Sequence, residues 1–451
     1  MTTAVLMATG GEPSVLARLI EQLRALGVED VHVIESGSAA EDLRAVARLA
    51  AEGEGPLVVA SGDVFTHRSA IEGLLTDPRV ASGILASSDG GTRARAYGVR
   101  SDRGRVLSMG SPYHAVNDPN NSFLGMVKVA ESQRAMLAEV AERLTHLNPL
   151  PDDLPALLAV GLVRSGVHLN QAFLGQLYWA RPLSREELHR ASEEIAQVDE
   201  DKVLLDSAVK PQDGFFTTFF VSPYSKYIAR WAARRGFTPN QVTSVSMLIG
   251  VAAAAAFGFG TRAGLVTGAV LLQVAFTFDC VDGQLARYTR MFTKLGAWLD
   301  SVFDRGKEYA VFAGLAIGAS RAGDPVWILA GAALTFQTVR HGFDFSFAAS
   351  EHREFQEAPQ RPLDDPGDGP TRGAKRVSRA ETTLSAWQRL NRLPGVVWIK
   401  RMLPFPIGER FAVISITAAL FTPRTTFIVL LAWGAVAALY TLAGRVLRSI
   451  R

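Results

Sequence analysis

Cysteine is nearly missing from this chain: Cys280 is the only one in 451 residues, so no intramolecular disulfide can form. A charge surplus is missing too. The chain has 47 Lys and Arg against 44 Asp and Glu, a formal net charge of +3, so charge makes no case for a nucleic-acid partner. The first residues, Met1 to Gly11, have neither a basic segment nor a long apolar core. No signal peptide is therefore expected, and the N-terminal half is expected to stay in the cytoplasm. Long hydrophobic runs are scarce in 1–210 and frequent across 240–446. The 48% hydrophobic average therefore hides a soluble half and a membrane half.

The membrane half is organised around the stretch from Asp279 to Asp304, where four carboxylates sit at the ends of two apolar segments. Ionisable groups at a membrane are costly, so a functional role is the default expectation. On a helix, Asp279, Asp282, Gly283 and Ala286 share one face, and Gly296, Asp300 and Asp304 form a stripe on the next. Packing the two stripes together makes the carboxylates converge, with glycines where backbones or a ligand come close. Such a cluster requires cations, and hard oxygen-liganded ions, Mg²⁺ or Mn²⁺, suit it. The alternative is a charged cytoplasmic loop, which does not require these spacings.

These residues spell D-x-x-D-G-x-x-A-R-x8-G-x3-D-x3-D, and at them the chain resembles the CDP-alcohol phosphotransferases. The resemblance implies displacement at the β-phosphorus of a CDP-alcohol by an acceptor hydroxyl, with CMP leaving. It implies two divalent ions, about 3.5–4 Å apart, with Asp279, Asp282 and Asp300 as ligands. Asp304 is expected near the second ion and as the general base. Arg287 is expected to grip the diphosphate, and Gly283 to let the nucleotide approach the backbone. Thr238-Pro239-Asn240-Gln241-Val242-Thr243 suits the cap of a first spanning helix. It also resembles the family's nucleotide-contacting Thr-Pro-Asn-x-x-Thr segment, and Thr293 matches a nucleotide-contacting position of phosphatidylinositol-phosphate synthases. Cys280 occupies a position the pattern leaves free and is expected to be a small core side chain.

The first 200 residues alternate short apolar runs (3–8, 31–34, 56–60) with helical patterns near 13–26 and 68–75, and a mostly parallel α/β sandwich is expected. Over roughly 1–195 this part resembles the nucleotidyltransferase domain of sugar-phosphate and inositol-phosphate cytidylyltransferases, with Asp63 where they place a metal-binding Asp. The loop Ala8-Thr9-Gly10-Gly11-Glu12-Pro13 carries no Arg or Lys before Arg18, and Trp179 is followed by Ala180, Arg181 and Pro182 rather than a second Asp. A degenerate domain is expected.

Residues 201–237 are expected to be a linker ending in an amphipathic helix on the membrane face (Phe220, Tyr224, Tyr227, Trp231 with Lys226, Arg230, Arg234). The stretch from Lys210 to Phe216 resembles the junction of bifunctional inositol-phosphate cytidylyltransferase/di-inositol-phosphate-phosphate synthases. Apolar segments near 241–259, 264–285, 296–319, 325–345, 407–422 and 425–446 make six expected spans in 238–451. Residues 350–383, rich in Pro, Gly and charge, are expected to be a flexible loop, and 384–404 a second surface helix. The distribution of Lys and Arg places both termini and the aspartates on the cytoplasmic side of a cell membrane. Arg340 and Arg410, at span boundaries, are candidate acceptor-phosphate ligands; snorkelling is the alternative. Family resemblance and the small residues Gly314, Gly318, Gly331 and Ala332 suggest a homodimer. The donor is CDP-diacylglycerol or a CDP-polyol, and the acceptor a polar hydroxyl such as an inositol phosphate. Two other readings stay open: an active N-terminal cytidylyltransferase, and a non-enzymatic nucleotide-binding membrane protein.

Overall fold

Two units make up the computed structural model, which describes residues 2–8, 11–88, 96–102, 104–210, 213–354, 361–367 and 394–449. The first is Met1–Val203 with Arg353–Lys375, and the second is Leu204–His352 with Arg376–Arg451.

In the first unit, β1 (Thr3–Met7), α1 (Pro13–Ala25), β2 (Asp30–Ile34), α2 (Ala39–Glu52) and β3 (Leu57–Ser61) make a βαβ start. Then come β4 (Phe65–Thr66), α3 (Arg68–Thr76), β5 (Gly83–Ser87), β6 (Tyr97–Asp102), β7 (Arg105–Met109) and β8 (Asn121–Val129). The unit continues through α4 (Arg134–Leu144), α5 (Leu154–Arg164), β9 (Asn170–Phe173), β10 (Trp179–Ala180) and α6 (Arg185–Ala196), and the boundary at Val203 falls within α7 (Glu200–Ser207). Among the described residues, eight strands form one sheet in the order β2-β1-β3-β8-β5-β9-β7-β6, and β4 pairs with β10.

The sheet corrects the expectation of mostly parallel strands. β1 runs parallel to β2 and β3, and β5 to β9, but β8 is antiparallel to β3, β5 and β6. The cause is local. Parallel neighbours need a crossover of a dozen or more residues, usually helical, and no helix lies between β6 and β8. Alternation along β1 and β3 feeds two cores. Val5, Met7, Leu57 and Val59 pack with α2, α4 and α5, whereas Ala4, Leu6, Val58 and Ala60 pack with α1 and α3. Both faces are covered, which is why these strands are continuous apolar runs.

A second correction concerns the expected flexible loop. Within it, residues 361–367 pack as part of the α/β unit. Leu363 is buried in the core against α5. Arg164, at the end of α5, donates to the carbonyls of Pro362, Asp365 and Gly367. Tyr113 Oη donates to Asp364 O at 2.8 Å, and the Ala115 amide to Pro366 O at 2.8 Å.

The second unit opens with a π-helical turn at Thr217–Val221 that runs into α8 (Ser222–Arg234). Tyr224, Tyr227 and Trp231 of α8 are exposed, and Arg230 and Arg235 lie over the rings of Tyr227 and Trp231. Then follow α9 (Pro239–Gly258), α10 (Arg262–Tyr288), α11 (Lys294–Arg321), α12 (Trp327–Glu354), α13 (Pro394–Met402), α14 (Ile407–Leu420) and α15 (Pro423–Ser449). The rest of the expected surface helix, 384–393, lies outside the described residues. Among the described residues, α9, α10 and the Pro423–Gly444 part of α15 are long and apolar enough to cross a membrane. Helix α11 misses that measure because Asp300, Asp304, Arg305, Lys307 and Glu308 crowd its first half, and α14 has only 14 residues.

Gly314 and Gly318 serve contacts within the chain rather than the suggested dimer contact. A Cβ on Gly314 would overlap the Ala254 carbonyl of α9, and one on Gly318 the Phe257 carbonyl. Their absent side chains let α9 and α11 touch backbone to backbone. Gly331 and Ala332 are exposed on α12.

Candidate active site

Helix geometry alone brings the acidic residues together. Asp279 and Asp282 lie near the end of α10, and Asp300 and Asp304 near the start of α11. Thr293 starts α11, its Oγ1 accepting from the Gly296 amide at 2.9 Å, so the turn between the helices is fixed by a cap. One ligand oxygen from each of Asp279, Asp282 and Asp300 falls within 4.8 Å of the others. Asp282 is buried, and its Oδ2 has no hydrogen-bond partner. Three converging carboxylates with an orphaned buried oxygen suit a hard divalent cation.

Asp304 stands beside this trio rather than in it. Its Oδ1 lies 3.1 Å from the Nζ of Lys307, which also pairs with Asp279. Lys307 is fully buried, and it donates to Ser246 Oγ of α9 at 3.1 Å. Sequence reasoning missed Lys307. The available signal was its spacing, since Asp300, Asp304 and Lys307 fall at i, i+4 and i+7 on one helix face.

The other expected site residues divide. Asn240, Thr293 and Gly296 meet: a Cβ on Gly296 would lie 2.7 Å from Asn240 Oδ1 and 2.8 Å from Thr293 Oγ1. Arg287 folds over Gly283, whose added Cβ would lie 3.3 Å from Arg287 Nη1, and Arg287 Nε donates to the Ala208 carbonyl. Gln241 forms a capping box with Thr238, its Oε1 accepting from the Thr238 amide at 2.9 Å. Val242 belongs to a small apolar core with Val281 and Leu285. Thr243 Oγ1 donates to Pro239 O at 3.0 Å. Cys280 is half-buried against the helical core.

Arg340 and Arg410, the candidate acceptor ligands, make contacts within the chain. Arg410 donates to both carboxylate oxygens of buried Glu308, at 2.8 and 3.2 Å, and to Phe405 O at 2.8 Å. Arg340 donates to the carbonyls of Pro404 and Phe405. A buried carboxylate needs a paired cation, and Phe405 has a φ of 54°, a conformation costly for a non-glycine residue. Both arginines hold this turn through its carbonyls, and Arg410 also neutralises Glu308.

In the α/β unit, Asp63 is fully buried and Arg181 Nε donates to its Oδ1 at 2.9 Å. The same guanidinium donates to Asp153 and, at 2.6 Å, to Ser61 Oγ. A fixed cation of the protein thus sits where Asp63 was expected to hold a metal. Gly11 lies against Asp63, an added Cβ falling 2.9 Å from the Asp63 Cβ. Thr9 and Gly10, in the same loop, lie outside the described residues.

Comparison with known proteins converges on the helical unit. Residues 237–356 match the CDP-alcohol phosphatidyltransferase family. The bifunctional IPC transferase and DIPP synthase of Aquifex aeolicus is 36% identical over 117 residues, 26% of this chain and 26% of that protein. The archaetidylinositol phosphate synthase of Pyrococcus horikoshii is 34% identical over 91 residues, 20% of this chain and 47% of that protein. The phosphatidylinositol phosphate synthase of Streptomyces avermitilis is 32% identical over 111 residues, 24% and 42% of the two chains. The chain therefore spans between a quarter and a half of the length of these curated relatives. The inositol-1-phosphate CTP transferase structure from T. maritima aligns at 12% identity and a TM-score of 0.32, covering 44% of this chain and 97% of that one. A likeness that slight carries no argument about the α/β unit.

Proposed function

We propose that this chain, which carries a CDP-alcohol phosphatidyltransferase domain at residues 237–356, transfers a phospho-alcohol or phosphatidyl group from a CDP-alcohol to an acceptor hydroxyl. The carrying observation is the convergence of Asp279, Asp282 and Asp300 inside the D-x-x-D-G-x-x-A-R frame. These three residues would hold the divalent cation, Mg²⁺ or Mn²⁺, that neutralises the diphosphate of the donor when bound.

The protein's own groups then have distinct tasks. Arg287, laid over Gly283, binds diphosphate oxygens as a planar, permanently charged donor. Asn240 and Thr293, brought together at Gly296, line the nucleotide side. Asp304 accepts the proton of the acceptor hydroxyl as its oxygen bonds to phosphorus, and the bond to CMP breaks. The helices lie in a membrane in multiple passes, with the basic cluster Arg287, Arg290 and Lys294 on the cytoplasmic side. The relatives' names favour an inositol phosphate as acceptor or an inositol-based donor. The α/β unit does not transfer nucleotides, because Arg181 occupies its acidic pocket.

The test is purified full-length protein with Mg²⁺, assayed for CMP release from CDP-diacylglycerol and from CDP-inositol against a panel of polyol and polyol-phosphate acceptors. CMP release that needs both donor and acceptor supports the reading. No turnover with any donor would sink it.

A further inference from the structure

We infer that Lys307 is a resident cation of the site, its ammonium taking the place of a second divalent ion, so that the chain binds a single divalent ion through Asp279, Asp282 and Asp300. This rests on the phosphotransferase reading and departs from the two-ion expectation drawn from family resemblance. An ammonium has three donors and no acceptor. Lys307 donates to Asp279 and, at 3.1 Å, to Ser246 Oγ, and its Nζ forms an ion pair with Asp304 Oδ1 at 3.1 Å.

The place is built for it. Ser246 gives its own proton to Ala275 O at 2.8 Å, which turns a lone pair towards Nζ. The lysine stem crosses α9 at Gly250, where an added Cβ would lie 2.8 Å from Lys307 Cγ. A lysine that merely snorkels would run to water, whereas this one is fully buried. A second dication held by Asp279 and Asp304 would have to sit beside the carboxylate oxygens that Lys307 faces. It would also bring a divalent charge against a buried ammonium, in surroundings where like charges repel strongly. Asp304 correspondingly lies outside the trio that fits an ion.

The test counts bound Mn²⁺ on purified full-length protein by equilibrium dialysis, together with its electron paramagnetic resonance spectrum, without any turnover. The expected result is one Mn²⁺ per chain with the spectrum of an isolated ion. Lys307→Met should admit a second ion and produce the spin coupling of a close pair, and Lys307→Arg should stay at one. Two coupled ions in the unaltered protein would overturn the inference and leave the phosphotransferase reading standing, as would a folded Lys307→Met chain that still binds one. No bound Mn²⁺ at all would overturn both. Should Lys307→Met not fold, the count on the unaltered protein and on Lys307→Arg still decides.

Discussion

Arg181 binds Asp63 through Nε at 2.9 Å with both side chains shut off from solvent, although 118 residues separate them. The pair converts a pocket that looks poised for a metal into one already neutralised by the protein. Asp153 completes the arrangement on the other side of the guanidinium.

Removing that guanidinium should be costly. Arg181→Met leaves Asp63 and Asp153 buried without a cation, and breaking a buried pair in this way costs roughly 3–5 kcal/mol. Thermal unfolding of the full chain should show a large loss of stability, partly restored when Asp63→Asn is added. The unaltered chain given CTP, Mg²⁺ and inositol 1-phosphate should make no pyrophosphate. Pyrophosphate that disappears in Asp63→Ala would refute the inert reading.

Asp300→Asn should abolish Mn²⁺ binding and CMP release together, because it removes one of three converging ligands. Asp304→Asn should instead retain Mn²⁺ while slowing CMP release by about 10²–10⁴-fold, the usual worth of a positioned general base. Full activity in either variant would remove the proposed division of labour.

Acid should weaken the α/β unit through Glu200. Its carboxyl lies 3.4 Å from His67 Nδ1, and that hydrogen bond, with those from Ser69, holds its pKa down from 4.5 to about 2. A depressed carboxylate contributes stability above its unfolded pKa and loses it as pH falls through the folded value. The loss should therefore run from about pH 4.5 to about 2. The pair is partly exposed, so screening limits the effect to about 1 kcal/mol or less. Glu200→Gln should flatten the unfolding midpoint across that window; an unchanged slope would mean the pair is not formed in solution.

Membrane orientation can be read by labelling single cysteines in intact cells in a Cys280→Ser background. A cysteine at Ala322, exposed in the turn after α11, should react with an impermeant maleimide, and one at Gly373 should not. The reverse pattern would put the aspartates on the side away from cytoplasmic CDP-alcohols.

Leu363 should matter to a domain that ends, in linear sequence, some 160 residues earlier. Leu363→Ala removes buried side-chain volume from the core beside α5, a change that costs about 2–5 kcal/mol. Hydrogen exchange in Leu154–Arg164 should quicken. Unchanged protection there would mean that residues 361–367 do not pack against α5 in solution.

The aspartate site was legible because its information is periodic. Asp279 with Asp282, and Asp300 with Asp304, share helix faces by spacing alone, and a single helix pair carries them all. Helix boundaries were legible from the apolar runs and their caps, the helix α14 beginning at Ile407 as expected. What stayed hidden depends on partners distant in sequence. Lys307 resembles any charge near a span end until Ser246 and Asp279 are seen around it. Arg181 registered only as a missing acid. Leu363 lies among prolines and charges, with no local pattern to mark it as core. The direction of β8 depended on the missing helical crossover rather than on its apolar composition.

Synthesis order gives the 361–367 segment a further meaning. The strands of the α/β unit have all left the ribosome once Ala180 has, but Leu363 follows only after α8 to α12 have been made. At about 5–20 residues per second, the gap lasts roughly ten seconds or more. Throughout it, the surface that Leu363 will cover, and the Arg164 guanidinium that will bind three carbonyls, wait uncapped. A ribosome that stalls within α9 to α12 therefore leaves behind two unfinished objects, the incomplete helical bundle and an α/β unit still missing its last core residue.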